Sequence, residues 1–290
     1  MSPLIQTDEQ FASIDLQRAL NAWLPAGVHA VCTTREGGVS PAPFGSFNLG
    51  DHVQDDPAHV AENRRRLQTR LGGAAPIFLQ QVHGTQVVAL HANTPQGTVA
   101  DACVTTDAEV ACTIMVADCL PLLLTDASGR VVAAAHAGWR GLAAGVIEQT
   151  VHTMCDVRYQ AMHASSGEAQ SHAHHKPHEP QMLQARDLRV WLGPCIGPDA
   201  FEVGPEVREA FLKQHALSAA FFKPHPQHAN KWLADLAGLA RVRLQVLGIQ
   251  AVAGNDSTSS WCTVTQRAQF FSYRRDGQTG RFAVCIWRSR

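Results

Sequence analysis

Residues 110–141 read VACTIMVADCLPLLLTDASGRVVAAAHAGWRG. Three apolar runs of strand length, 110–116, 122–125 and 131–135, follow one another with gaps too short for an ordinary helix. A helix is predicted only afterwards, over 142–154, behind Gly141. Strands and helices that mix without strict alternation do not describe a doubly wound parallel sheet. They indicate an α+β fold, with mixed sheets flanked by helices.

Further strand-like runs lie at 28–33, 77–82 and 86–90, and again at 188–192, 250–253 and 282–287. Asp56 and Pro57 supply an N-cap and a first-turn proline for a helix over 57–70, which Gly72 stops. Pro205 opens another helix to about residue 215. Within 231–247, Leu233, Leu236, Ala240, Leu244 and Leu247 form one apolar stripe of helical period, read as core packing. No repeat or composition break divides the chain, so 1–290 reads as a single domain. About 159–184 stands apart: it carries five of the 15 histidines and almost no apolar side chains. Such a segment is expected to be a solvated, flexible insertion, with metal binding as its other reading.

With 45% hydrophobic and 17% charged residues, the chain can bury a sizeable core. A formal net charge of −1 gives no general attraction to nucleic acid or anionic membrane. The basic run Arg64-Arg65-Arg66 reads as an outer helix face. The first residues lack a basic and then apolar secretory pattern. No apolar run approaches the roughly 18 residues of a spanning helix. Eight scattered cysteines without a Cys-x-x-Cys pair read as reduced thiols. A soluble cytoplasmic protein with no nucleic-acid or membrane partner is expected.

The chemistry gathers in three motifs: Gln-Val-His-Gly around His83, Ala-Asp-Cys-Leu-Pro around Cys119, and Ala-His-Ala-Gly-Trp-Arg-Gly around His136. Each sits at a break in an apolar run. Two nitrogens and a sulfur suit zinc and leave one position for water or substrate. Cys119 and a histidine also read as a nucleophile and its base, and all three as scattered structural side chains. Asp118 could shuttle a proton, orient a ligand or simply accept structural hydrogen bonds. The glycine turn after His136 places Arg140 near a helix start, where an anion is favoured. Arg35 stands beside a glycine pair and Asn48 in a Phe-Asn-Leu-Gly loop. The glycine-rich loop 193–204 lacks the Lys-Ser/Thr ending of a P-loop. Segment 270–281 concentrates three arginines, as an anion site or a salt-bridged loop.

Ten motifs in order carry a resemblance over almost the whole length: Thr-Thr-Arg-x-Gly-Gly-Val-Ser, Asn-Leu-Gly, Asn63-Arg64, Gln-Val-His-Gly, Asp101-Ala102, Ala-Asp-Cys-Leu-Pro, His-Ala-Gly-Trp-Arg-Gly, Gly-Pro-x-Ile-Gly, Glu-Val-Gly, and Phe-Phe-Ser-Tyr-Arg-Arg-Asp-Gly-x-Thr-Gly-Arg. The chain resembles the YfiH family, also called the laccase-domain or polyphenol-oxidase-type family. The resemblance implies a single α+β domain with zinc on His83, Cys119 and His136. It also implies phosphorolysis of adenosine, inosine and guanosine, with methylthioadenosine cleavage and adenosine deamination as further activities. On that reading Cys119, Asp118 and Arg140 are catalytic candidates, and Arg35, Asn48 and Arg64 bind substrate, the arginines clamping phosphate. Three rivals follow. A copper polyphenol oxidase would need a separate cluster of further histidines, which one N2S set does not supply. The others are a metal-free cysteine hydrolase and a peptidoglycan-editing factor, a role associated with a bacterial branch of the family.

Overall fold

The computed structural model describes residues 15–165 and 183–289. In chain order these form helix α1 (Leu16–Trp23), strand β1 (Val28–Cys32), α2 (Pro57–Arg70), β2 (Ala75–Gln80), β3 (Val87–Ala89), β4 (Thr98–Val99), β5 (Ala102–Thr105), β6 (Val110–Val116), β7 (Leu120–Asp126), β8 (Val132–Ala137), α3 (Trp139–Ala144) and α4 (Val146–Ser165). Then come β9 (Leu188–Leu192), β10 (Glu202–Val203), α5 (Pro205–Leu212), β11 (Phe222–Pro224), β12 (Trp232–Ala234), α6 (Leu236–Val246), β13 (Ala251–Gly254), α7 (Tyr273–Asp276) and β14 (Phe282–Arg288).

Two large mixed sheets are built, as the 110–141 stretch indicated. One has the order β1-β14-β6-β2-β4, the other β13-β9-β7-β8-β5-β3, and β10-β12-β11 form a small third. The period-2 geometry of strands sorts the side chains into layers. Cys112, Ile114 and Val116 of β6 meet Leu123 of β7 and Val132 and Ala134 of β8 in a core that draws on both large sheets. Ala111 and Met115, on the opposite face of β6, pack with Leu67 and Leu71 at the end of α2. Leu122 and Leu124 of β7 pack with Val146, Ile147 and Val151 of α4 and with α6. The result is four layers, helix, sheet, sheet and helices. Both faces of β6 and β7 are covered, so all seven residues of each are buried and neither alternates in polarity. Each fully buried leucine here contributes about 1.5–3 kcal/mol.

Asp56 caps α2 through the Ala58 amide, with Pro57 in the first turn. Three readings differ. The helix expected over 142–154 starts earlier, at Trp139, and breaks at Gly145, whose φ of +101° is left-handed and suits glycine. It then runs on to Ser165, so 159–165 are helix rather than insertion; residues 166–182 of the expected insertion lie outside the described residues. The stripe over 231–247 is two elements. Its first part is β12, and Asp235 then caps α6 by accepting from the Gly238 amide. All eight cysteines are free. No helix among the described residues is long and apolar enough to cross a membrane.

Candidate metal centre

The site forms where the strands stop. β2 ends at Gln80, and the Gln81 side chain then replaces one rung of the ladder. Its Oε1 accepts from the Met115 amide at 2.9 Å and its Nε2 donates to the Met115 carbonyl at 2.8 Å. The chain next turns through His83, whose φ is +60°. One fully buried carboxylate, Asp101, holds this turn. Oδ1 accepts from the His83 amide at 2.8 Å, and Oδ2 from the amides of Val82 (3.2 Å) and Gly84 (2.6 Å). The same Oδ1 lies 2.9 Å from His136 Nδ1, and the Asp101 carbonyl accepts from the His136 amide at 2.7 Å. His136 is therefore fixed by β8, opposite Pro121 of β7, and by Asp101. Cys119 enters from the turn between β6 and β7, directly after Asp118, whose φ is +102°.

This construction gathers the three expected ligands. Their donor atoms all lie within 4.8 Å of one another, with Cys119 Sγ 3.8 Å from His83 Nε2. The His83 and His136 rings meet edge to face, 4.8 Å between centroids. Space for this is left by Gly138, where a Cβ would stand 2.8 Å from His83 Cδ2 and 3.1 Å from Cys119 Sγ. At Gly141 a Cβ would stand 2.7 Å from the Gly84 carbonyl.

The donor set fits a metal ion. Asp101 engages His136 Nδ1 and so leaves Nε2 for the cluster, the carboxylate–histidine arrangement that orients metal ligands. Burial and the two imidazoles act oppositely on Cys119. Burial pushes the thiol up, but His136 and His83 outweigh it and bring it down to about 6. On His136 burial acts downward, and Cys119 with Asp101 outweighs it, pushing the imidazole up to about 9. Asp101 is itself held below its ordinary value: burial opposes, but His136 and the Gly84 and Val82 amides favour the carboxylate.

His136 is buried, Cys119 partly so, and His83 exposed, so the cluster opens on one side. It opens into a cavity of about 540 Å³, within the range of small-molecule sites. Asp118 and Arg140 line this cavity. Asp118 Oδ1 accepts from Thr263 Oγ1 at 2.6 Å and Oδ2 from the Arg274 amide at 2.6 Å, so both oxygens tie down the C-terminal wall. The Arg140 guanidinium stacks 4.5 Å from the Trp139 ring centre.

Arg35, Asn48 and Arg64 are not in the lining. Arg35 donates to the carbonyls of Gly45 and Arg267. Arg64 donates to the Leu49 carbonyl, pairs with Asp51 at 3.2 Å and covers the Phe78 ring at 4.0 Å. Asn48 is fully buried, its Oδ1 accepting from the amides of Gly50 and Arg281. Of the three arginines in 270–281, Arg275 is structural, bound to the carbonyls of Thr263, Val264 and Phe270 and to Asp276. Arg274 and Arg281 line the cavity with His52 and Tyr273, as do Trp139 and Phe201. His52, Tyr273, Phe201 and the organising role of Asp101 had no signal in residue spacing. Asp101 and Tyr273 stood out only within family motifs.

A second cluster, Glu202, His225 and His228, also brings its donor atoms within 4.8 Å. His225 Nδ1 accepts from the amides of Gln227 (3.1 Å) and His228 (3.0 Å). That assigns its proton to Nε2, which lies 3.3 Å from Glu202 Oε2. A metal on Nε2 would require a proton on Nδ1, facing two N–H donors. This cluster is better described as a carboxylate clasp between two stacked imidazoles.

A four-layer α+β fold carrying an imidazole, imidazole and thiol cluster at a ligand-sized cavity defines a protein with a candidate metal site that is open on one side. The chain belongs to the YfiH family. The family model described as multi-copper polyphenol oxidoreductase laccase matches residues 29–176 and 166–289. Purine nucleoside phosphorylase PA4543 of Pseudomonas aeruginosa is 47% identical over 274 residues, 92% of this chain and 99% of the relative. Purine nucleoside phosphorylase YfiH of Escherichia coli K12 is 44% identical, covering 91% of this chain and 95% of the relative. The crystal structure of protein NMB0706 of Neisseria meningitidis superposes with a TM-score of 0.78 at 41% identity, over 92% of this chain and 96% of that one.

Proposed function

We propose that this protein is a purine nucleoside phosphorylase that uses one zinc ion held by His83, Cys119 and His136. The observation that carries the reading is that this cluster opens into a cavity with both aromatic and cationic walls. The names of the relatives at 44% and 47% identity support the same activity. Adenosine, inosine and guanosine are the proposed substrates, with methylthioadenosine cleavage and adenosine deamination as further activities of the same cavity.

When bound, zinc supplies positive charge that stabilises negative charge forming on an oxygen. The remaining work falls to the chain. Trp139, Phe201 and Tyr273 offer aromatic faces to a purine. Arg140, Arg274 and Arg281 offer positive charge to phosphate. In phosphorolysis a phosphate oxygen bonds to the anomeric carbon as the N-glycosidic bond breaks through an oxocarbenium-like centre. The purine leaves with the bond electrons and takes up a proton. Asp101 holds His136 in one orientation throughout.

A cysteine hydrolase is the second reading, favoured by the lowered Cys119 thiol beside His136. Multicopper oxidase chemistry is disfavoured by ligand count. Among the described residues, the other candidate cluster is the Glu202 clasp, with its unsuitable tautomer.

Incubating the purified protein with adenosine, with and without phosphate, tests the proposal. Adenine and ribose 1-phosphate formed only with phosphate, and lost on chelation, are expected. Inosine in both conditions would assign deamination instead. No turnover would remove both activities and leave the cysteine hydrolase reading or a non-enzymatic role such as peptidoglycan editing.

A further inference from the structure

The cavity has one acidic lining residue, Asp118, and both its oxygens are engaged. Its cationic lining residues differ in how far they are compensated. Both Nη atoms of Arg274 donate to the Glu202 carbonyl, at 3.2 and 3.1 Å. Arg281 is half-buried, and its Nη1 donates to the carbonyls of Thr279 and Gly280, each at 3.1 Å. Among the described residues its Nε and Nη2 make no hydrogen bond, and no carboxylate lies within 4.0 Å of it. Arg64, by contrast, has its carboxylate partner in Asp51. A half-buried guanidinium with an open edge and no carboxylate in direct contact, its anionic neighbours Cys119 and Asp118 lying further off in the same cavity, suits a tetrahedral oxyanion, which it can bind through two parallel hydrogen bonds.

The backbone beneath it is built for this position. Asn48 Oδ1 accepts from the Arg281 amide at 2.9 Å, and the Leu49 amide donates to the Arg281 carbonyl at 3.0 Å. At Gly50 a Cβ would stand 2.8 Å from Arg281 Cγ and 3.4 Å from His52 Cε1. The glycine therefore lets Arg281 and His52 approach the same loop closely.

We infer that Arg281, with His52 beside it, binds the phosphate co-substrate, and that Asn48 and Gly50 position that pair. The subsite deepens the phosphorylase reading and rests on it. It replaces Arg35 and Arg64 as phosphate ligands and makes Asn48 a positioning residue.

The test uses the full-length, metal-loaded protein, with inorganic phosphate binding followed by calorimetry and phosphorolysis kinetics run alongside. Arg281→Gln is expected to weaken phosphate about 10- to 100-fold in both binding and KM, the range for losing hydrogen bonds to a charged group. The KM for adenosine should stay within about threefold and the variant should remain folded. Arg281→Lys should recover part of the loss, because it restores charge without the planar fork. Unchanged phosphate affinity in Arg281→Gln, or the same loss in Arg64→Gln, would overturn the assignment. Phosphate binding that depends on Arg281 without any turnover would keep the subsite and sink the phosphorylase reading. No phosphate binding by the unaltered protein would remove both.

Discussion

Asp101→Asn is expected to lower metal affinity about 10- to 100-fold, the usual cost of losing a carboxylate behind a ligating histidine. It is also expected to cost about 3–5 kcal/mol of stability, as for breaking a buried charged pair. The carboxylate has no spare acceptor. One oxygen serves the His83 amide and His136 Nδ1, the other the Val82 and Gly84 amides. Whichever way an asparagine turned, its NH2 would face donors. The turn that presents His83 and the ring orientation of His136 should fail together. Competition with a chromophoric chelator reads the affinity, and denaturant unfolding reads the stability. The pH dependence has a defined sign. Asp101 is held below its ordinary value, so its contribution is complete above about pH 4 and is lost as pH falls through the depressed value. The stability gap between the native protein and Asp101→Asn should therefore be widest near neutrality and close in acid. A variant that binds metal as tightly as the native protein would contradict this role.

Cys119 is expected to be alkylated with a midpoint near pH 6 once a chelator has stripped the metal, and to be protected when metal is restored. The Cys119 contribution, depressed to about 6, is lost as pH falls through that value. The His136 contribution, raised to about 9, is lost as pH rises through that value. Between the two, the stripped site holds a thiolate–imidazolium pair. Relative to an ordinary thiol, the thiolate fraction at neutral pH rises about thirtyfold. The lower basicity makes each thiolate about 10- to 20-fold less nucleophilic. The midpoint, rather than the rate, therefore discriminates. Burial pushes Cys32 and Cys195 up, and Cys285 up to about 12, so these thiols should stay silent. A midpoint near that of a free thiol would show that the two imidazoles do not face Cys119.

Much of the fold was legible because covered strands announce themselves as apolar runs. Residues 110–116 and 188–192 were read with the bounds that β6 and β9 have, and 57–70 with those of α2. The short strands β4, β10, β11 and β12 were not read, since two or three residues give no period. β12 in particular was absorbed into a helical stripe, because Leu233 falls in phase with α6. The cluster of His83, Cys119 and His136 was visible as three motif breaks. Its organiser was not, because a single aspartate just before a four-residue strand has no periodic or compositional mark. The arginines show the same limit. Arg35, Arg64 and Arg140 were singled out by motif, but which guanidinium reaches the cavity depends on tertiary contacts, such as that of Arg64 with Asp51 and the placing of Arg281 in the cavity wall.

The central claim is that one metal ion on His83, Cys119 and His136 is required for purine release. Elemental analysis of the native protein and Cys119→Ala, run on the samples assayed for ribose 1-phosphate, tests it most directly. Close to one zinc per chain with turnover in the native protein, and loss of both in a folded Cys119→Ala, is the result the account predicts. Full zinc content in Cys119→Ala, or full turnover without metal, would contradict it.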